Sequence, residues 1–297
     1  MIVTDNKKIA NKLNLVLWDR KDSSLRDIEV AIASRKFARH LLEVVPPNLK
    51  FIQLTSAGYE GVDISLAKDR NIAVCNAANV YNVGMAEFVV YGMLMCAKRY
   101  HHSMKNHFFR PFRNYHFITE LSGKTVGILG AGNIGKEVAK RLAAFDMQVL
   151  GYDLRSDNRP YFKEIYTLDS LNLFLRQCDY IVNCIPLFPS TEGLLCKKWF
   201  DLMKPNVTII NVARKKTIND DDLLHFLKVN RDASAVLDMY ETFPNPITNP
   251  YRRLPNVLVL PGVTAISQEI EEKLALLCHN NIENYKNGKL LLNLLNA

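Results

Sequence analysis

The residues most clearly arranged for chemistry begin at Gly130. The run Gly130-Ala131-Gly132-Asn133-Ile134-Gly135 follows the apolar stretch Thr125–Leu129 without a gap and leads into an amphipathic segment, Ile134–Phe145. Glycine at the first position allows a tight turn, and at the second it lets the backbone approach a pyrophosphate. At the third it lets a helix lie close to the preceding strand. The first turn of that helix, with Asn133 and Ile134, offers N–H groups that have no intrahelical acceptor and suit a phosphate charge. Asp153 ends the next apolar run, roughly 20 residues on. A carboxylate there accepts hydrogen bonds from both ribose hydroxyls and repels a 2′-phosphate. Arg155 pulls the other way, because a guanidinium can accommodate that phosphate. Asp153 outweighs it, and the pattern predicts NAD rather than NADP.

Such a turn needs a strand before it and a helix after it. Strands are predicted at Thr125–Leu129, Gln148–Tyr152, Tyr180–Ile185, Thr208–Val212, Ser234–Leu237 and Val257–Leu260, with helices between them at Ile134–Phe145, Leu168–Gln177, Lys197–Met203 and Asp220–Val229. Six strands in that rhythm make a doubly wound α/β domain. Upstream, Leu13–Trp18, Ile28–Ala33, Lys50–Leu54 and Ile72–Cys75 read as strands of a second buried parallel sheet, with helices at Lys36–Val45 and Asp63–Arg70. A long helix over about Val83–Tyr100 and the irregular stretch Asn106–Thr119 separate the two alternations. Gln268–Lys286 is one further amphipathic helix.

Composition narrows the class. Of 297 residues, 48% are hydrophobic and 23% charged, which is a globular balance and excludes disorder. No apolar run reaches the ~18 residues that span a bilayer, and Met1–Ala10 lacks the pattern of a signal peptide. The expectation is a cytoplasmic protein with no membrane partner. The six cysteines are scattered without a Cys-x-x-Cys pair, so packed thiols are expected, and neither a metal nor a disulfide set. The net charge of +8 raises nucleic acid as a partner. The densest basic stretch, Arg99–Arg113, carries Tyr100, Phe108, His101, His102 and His107. It reads more readily as a subunit contact than as an RNA site.

Together these residues resemble the D-isomer-specific 2-hydroxyacid dehydrogenase family, of the glycerate and phosphoglycerate dehydrogenase kind. Ser56-Ala57-Gly58-Tyr59 resembles the family's substrate loop, and Val83-Gly84-Met85-Ala86-Glu87 the start of its interdomain helix. Leu121-Ser122-Gly123-Lys124 precedes the glycine loop as it does there. Cys184-Ile185-Pro186-Leu187 with Pro189-Ser190-Thr191 is similar to the loop flanking the adenosine. Ile210-Asn211-Val212-Ala213-Arg214 is similar to the strand ending in the catalytic arginine, and Leu237-Asp238 follows in order. The resemblance implies two doubly wound parallel-sheet domains: a Rossmann dinucleotide-binding domain, residues 96–267, inserted into a flavodoxin-like substrate domain, residues 1–95 plus 268–297. It implies a homodimer. It also implies substrate contacts from Ala57, Gly58 and Tyr59, and cofactor contacts from Cys184, Pro186, Thr191, Val212, Ala213, Arg214 and Asp238.

Reducing a small 2-keto acid takes a hydride donor, a cation on the carbonyl and carboxylate, and an acid for the oxyanion. The resemblance makes Arg214 the cation. The acid is missing: Gly262 stands where the family has its histidine, and Phe243 where it has the paired glutamate, with Glu241 two residues short of that position. The two losses are coherent, since a buried carboxylate without its imidazolium is an uncompensated charge. Lys215, Tyr59, or a histidine among His101, His102, His107 and His116 could substitute. Formate oxidation, which needs no such acid, is another form of the same chemistry. The alternative is a catalytically impaired NAD(H)-binding protein with a sensing or partner-binding role.

Overall fold

The computed structural model describes residues 1–18, 22–100, 118–238, 249–260 and 262–296. The chain divides into two compact units, Met1–Tyr81 with Ile266–Ala297, and Asn82–Ala265.

The first unit opens with β1 (Ile2–Thr4), α1 (Lys7–Leu13) and β2 (Val16–Leu17), followed by β3 (Val30–Ala33), α2 (Arg35–Val44), β4 (Phe51–Leu54), α3 (Ile64–Asp69) and β5 (Ala73–Cys75). All pairings are parallel, in the order β2-β1-β3-β4-β5. This is the flavodoxin-like doubly wound order. The predicted strand Leu13–Trp18 shortens to β2 because Asn6 starts a helix just before it, its side chain accepting from the N–H groups of Lys8 and Ile9. Three-residue β1 is too short to show a period in sequence. Every residue of β3 and β4 is buried, as parallel strands covered on both faces require.

The second unit begins with α4 (Asn82–Ala97) and continues β6 (Thr125–Leu129), α5 (Asn133–Ala143), β7 (Gln148–Tyr152), β8 (Glu164–Tyr166), α6 (Leu171–Gln177), β9 (Tyr180–Asn183), α7 (Lys197–Phe200), β10 (Thr208–Asn211), α8 (Asp220–Val229), β11 (Ser234–Leu237) and β12 (Val257–Val259). Its seven parallel strands run β12-β11-β10-β9-β6-β7-β8. The sequence pattern showed six of them. Short β8, in which one buried residue, Ile165, sits between Glu164 and Tyr166, completes the edge beside β7.

The unit boundary falls before α4, not after residue 95. α4 buries Met85, Ala86, Val89, Met93, Met95 and Cys96, and it packs on α5 and the sheet of its own unit. At Gly92 the approach is so close that a Cβ would stand 3.1 Å from a methyl of Val236. Glu87 reaches Arg141 of α5 at 3.6 Å.

The chain then returns to the first unit as α9 (Ile270–Lys286), which buries Leu274, Ala275, Cys278, Asn281 and Ile282. Asn281 is wholly buried and donates to Gln53 Oε1 of β4 at 2.6 Å. The following segment reaches β5, where Leu295 N–H donates to the Val74 carbonyl at 2.8 Å. Among the described residues, no helix is long and apolar enough to cross a membrane, and no group of three or more His, Cys, Asp or Glu residues could hold a metal ion.

Candidate functional site

Parallel register aligns the strand ends of the second unit. Leu129 pairs with Tyr152 and Asn183, Asn183 with Asn211, Asn211 with Leu237, and Leu237 with Val259. The residues that follow them, Gly130, Asp153, Cys184, Val212 and Asp238, therefore stand in a row along the carboxyl edge of one sheet. That edge is where doubly wound sheets place their ligands.

The glycine loop is built as its spacing predicts. Gly130 has φ +87°, and a Cβ on it would meet the Cys184 carbonyl oxygen at 3.1 Å. Gly135 lies so close to the turn that a Cβ would fall 2.2 Å from the Gly130 oxygen, so only glycine lets α5 start here. Gly132 is different: a Cβ on it would meet no atom of the described residues within 4 Å, and its φ is −72°. Nothing within the described chain requires glycine at 132. It caps α5 without a side-chain hydrogen bond and is exposed beside Asn133.

Asp153 is held in place. Its Oδ1 accepts from the Leu154 N–H at 2.7 Å and its Oδ2 from the Ala131 N–H at 3.0 Å. Arg159 also donates to that Oδ2, at 2.7 Å, and to the Ala131 carbonyl at 2.9 Å. The other edge of the guanidinium grips Asp157, with Nε at 3.0 Å and the second terminal nitrogen at 2.6 Å. That contact holds the Asp157 carboxyl below its ordinary range and raises Arg159 above its own. Arg155 is exposed. The guanidinium on Asp153 is that of Arg159, a residue that the sequence pattern did not single out.

The loops after β9 and β10 are fixed by two buried amides. Asn183 donates to Asn211 Oδ1 at 3.0 Å and to Thr217 Oγ1 at 2.8 Å, while its own oxygen accepts from the Ile185 N–H at 3.2 Å. Asn211 accepts from the Ala213 N–H at 3.2 Å, and the Thr217 hydroxyl donates to the Arg214 carbonyl at 2.7 Å. One network thus sets the backbone of both Cys184–Ile185 and Val212–Arg214. Val212 and Ala213 are buried, and Arg214 is half-buried. Thr191 closes the loop beginning at Pro186: its hydroxyl donates to the Pro186 carbonyl at 2.7 Å and accepts from the Phe188 N–H at 2.8 Å. Burial pushes the Cys184 thiol up to about 12, so it is uncharged at neutral pH.

Asp238 is 2% exposed, and its carboxylate faces the segment after β12. Oδ1 accepts from the Val263 N–H at 2.8 Å, and Oδ2 accepts from the Thr264 N–H at 3.2 Å and the Thr264 hydroxyl at 2.5 Å. Gly262 adjoins this anchor with φ +74°, a left-handed conformation that side chains other than those of Asn and Asp rarely adopt. The position where the resemblance implies a histidine thus has a backbone suited to glycine.

In the first unit, Ala57, Gly58 and Tyr59 follow β4 as a half-buried loop. Its carbonyls are occupied: Ser56 Oγ donates to Gly58 O at 2.7 Å and Asn76 Nδ2 to Ala57 O at 2.7 Å. The N–H groups of Ala57, Gly58 and Tyr59 have no acceptor among the described residues. The loop is braced through Gln53, whose Nε2 donates to the Asn76 carbonyl at 3.1 Å. Glu241, Phe243, His101, His102, His107 and His116, with most of the basic stretch Arg99–Arg113, lie outside the described residues. Asn183, Gln53 and Asn281 could have been found in the sequence as amides within apolar runs, since buried polar groups must be paired. Nothing local connects Arg159 with Asp153.

Comparison with known proteins agrees with this geometry. The model of the D-isomer specific 2-hydroxyacid dehydrogenase NAD binding domain matches residues 90–263. A hydroxypyruvate reductase from Blautia hydrogenotrophica is 32% identical over 256 residues, 82% of this chain and 77% of that protein. A D-3-phosphoglycerate dehydrogenase from Methanocaldococcus jannaschii is 29% identical over 91% of this chain, which spans 52% of its length. Among solved structures, a family member from Aeromonas salmonicida superposes with a TM-score of 0.81 at 26% identity, covering 99% of this chain and 98% of that one. An acyclic imino acid reductase in complex with NADPH and D-Arg gives 0.83 at 26%, covering 99% and 100%. Glycine loop, strand order and arginine-bearing strand end thus fall into one lineage, and the chain belongs to the D-isomer specific 2-hydroxyacid dehydrogenase family.

Proposed function

We propose that this chain is an NAD(H)-dependent oxidoreductase of a small 2-hydroxy or 2-keto acid, working as a cytoplasmic homodimer without the family's usual acid–base pair. The observation that carries the nucleotide is Gly132. No atom of the described residues and no backbone strain demands glycine there, so the open cradle at the amino end of α5 serves something outside the chain. Asn133, Ile134 and Gly135 would hold the pyrophosphate by backbone N–H groups, and Asp153 the adenine ribose, favouring NAD over NADP. The nicotinamide supplies the hydride. Arg214, on a strand end fixed by Asn183 and Asn211, polarises the carbonyl and binds the carboxylate. In the first unit, the N–H groups of Ala57, Gly58 and Tyr59 are available to donate to a carboxylate. Glyoxylate and hydroxypyruvate, named in the curated relatives, head the panel of candidate substrates.

Following NADH absorbance with a panel of 2-keto acids, at high protein concentration, tests this reading. Turnover that is lost in Arg214→Ala supports it. A second reading, an NAD(H)-binding protein of impaired catalysis, is favoured by Gly262 at φ +74° and by the Phe243 substitution. NADH binding without turnover on any acid in the panel would establish it.

A further inference from the structure

The Asp153 carboxylate is already largely occupied by its own chain. Each carboxylate oxygen has about two acceptor directions. On Oδ2 both are filled, one by the Ala131 N–H at 3.0 Å and one by Arg159 at 2.7 Å; on Oδ1 the Leu154 N–H takes one at 2.7 Å. One acceptor direction remains, whereas a ribose diol has two hydroxyls to place. The Arg159 side chain is 12% exposed, and its guanidinium is held from behind by the two-point grip of Asp157, whose side chain is 58% exposed. A cation thus stands ready at the ribose carboxylate. Its charge cancels the repulsion by which Asp153 would exclude a 2′-phosphate.

We propose that Arg159, rather than Arg155, is the second determinant of cofactor choice, and that its pairing with Asp153 lets the ribose site admit NADPH alongside NADH. This rests on the reading of the second unit as a nicotinamide dinucleotide domain. A 2′-phosphate exchanges one anion for another on a guanidinium that Asp157 keeps in place. A 2′-hydroxyl uses the direction left on Oδ1. The preference conferred by Asp153 is thereby narrowed rather than reversed. Arg155 is exposed and makes no hydrogen bond to Asp153 among the described residues. Asp157 acts through Arg159 as a positioning residue.

The test is a fluorescence titration of NADH and NADPH against the wild-type chain, Arg159→Leu, Arg159→Lys and Arg155→Leu, with thermal melting to confirm folding. In the wild type, the two affinities are expected to lie within about tenfold of each other. Arg159→Leu leaves Asp153 uncompensated, so NADPH should weaken by about tenfold or more, while NADH changes by less than about threefold. Arg159→Lys keeps the charge without the fork and should fall between, a result that stands even if the leucine variant does not fold. Arg155→Leu should leave the ratio unchanged. An unchanged ratio in both Arg159 variants, or tighter NADH with NADPH unaffected, overturns the proposal, the latter by making Arg159 an obstruction. Failure of the wild type to bind either nucleotide overturns the dinucleotide reading itself.

Discussion

Asn183 and Asn211 sit at the same level on adjacent strands, and a 3.0 Å hydrogen bond joins their buried amides. Through it, the loop that carries Cys184 and the loop that carries Arg214 share one anchor. Replacing Asn183 by Leu leaves the Ile185 N–H, the Asn211 oxygen and the Thr217 hydroxyl without that partner. Unfolding in urea should show a loss of about 1–3 kcal/mol. Because Arg214 is set by the same network, turnover should also fall, by one to two orders of magnitude. A variant that loses stability but keeps full turnover would place Arg214 outside this anchor.

Gly132 and Gly135 should separate folding from ligand binding. Gly135→Ala puts a methyl 2.2 Å from a backbone oxygen, so the turn must move, and both melting temperature and nucleotide affinity should drop. Gly132→Ala meets no atom of the described residues within 4 Å and should melt within about 0.5 kcal/mol of wild type while binding NADH more weakly. Calorimetry together with titration checks both.

Supplying an acid–base pair at positions 243 and 262 requires more than one side chain. Gly262→His forces a histidine into φ +74°, at a cost of about 1–2 kcal/mol, and gives it no carboxylate partner. Phe243→Glu with Gly262→His should raise kcat within the 10²–10⁴-fold range typical of acid–base catalysis and introduce a pH break near ~6.5. The single histidine variant should gain less. Wild-type keto-acid reduction should be slow and show no such break. A break already present in the wild-type profile would mean that another acid occupies the site.

Buried thiols set an alkaline limit. Burial pushes Cys75, Cys96, Cys178, Cys184 and Cys278 from 9.0 up to about 12. The folded state keeps these thiols protonated after the unfolded chain has begun to lose its protons. Their contribution to stability is therefore complete below pH 9.0 and is lost as pH rises toward about 12. Each group contributes at most about 1.4 kcal/mol per pH unit in that window. Urea midpoints should be flat below the window and fall within it, and Cys178→Ala should flatten the slope.

The elements around the nucleotide were legible because the glycines, the continuous apolar strands and the carboxylate each have a local physical cause. Thr125–Leu129, Gln148–Tyr152 and Ser234–Leu237 match their predicted limits residue for residue. What stayed hidden depends on pairing and on the course of loops, which no local pattern encodes. β8 shows no pattern of its own until it pairs with β7. α4 has apolar residues on most faces, so its sequence does not say which unit it joins. Asp153 was visible, but Arg159 reaches it across an irregular loop whose course no periodicity describes.

The insertion of residues 82–265 within the first unit bears on the order of folding. The second unit is continuous and can close its core as soon as it is synthesised. The first unit has to wait, because the amide of Asn281 that meets Gln53 and the strand-like contact of Leu294 with Cys75 are made last. Until α9 arrives, the buried faces of β3 and β4 lack part of their cover, and the loop braced by Gln53 is incomplete. Contacts of such long sequence separation close slowly and leave apolar surface open in the meantime. Nascent chains that end before α9 should therefore carry a folded nucleotide unit beside an unfinished, chaperone-binding neighbour.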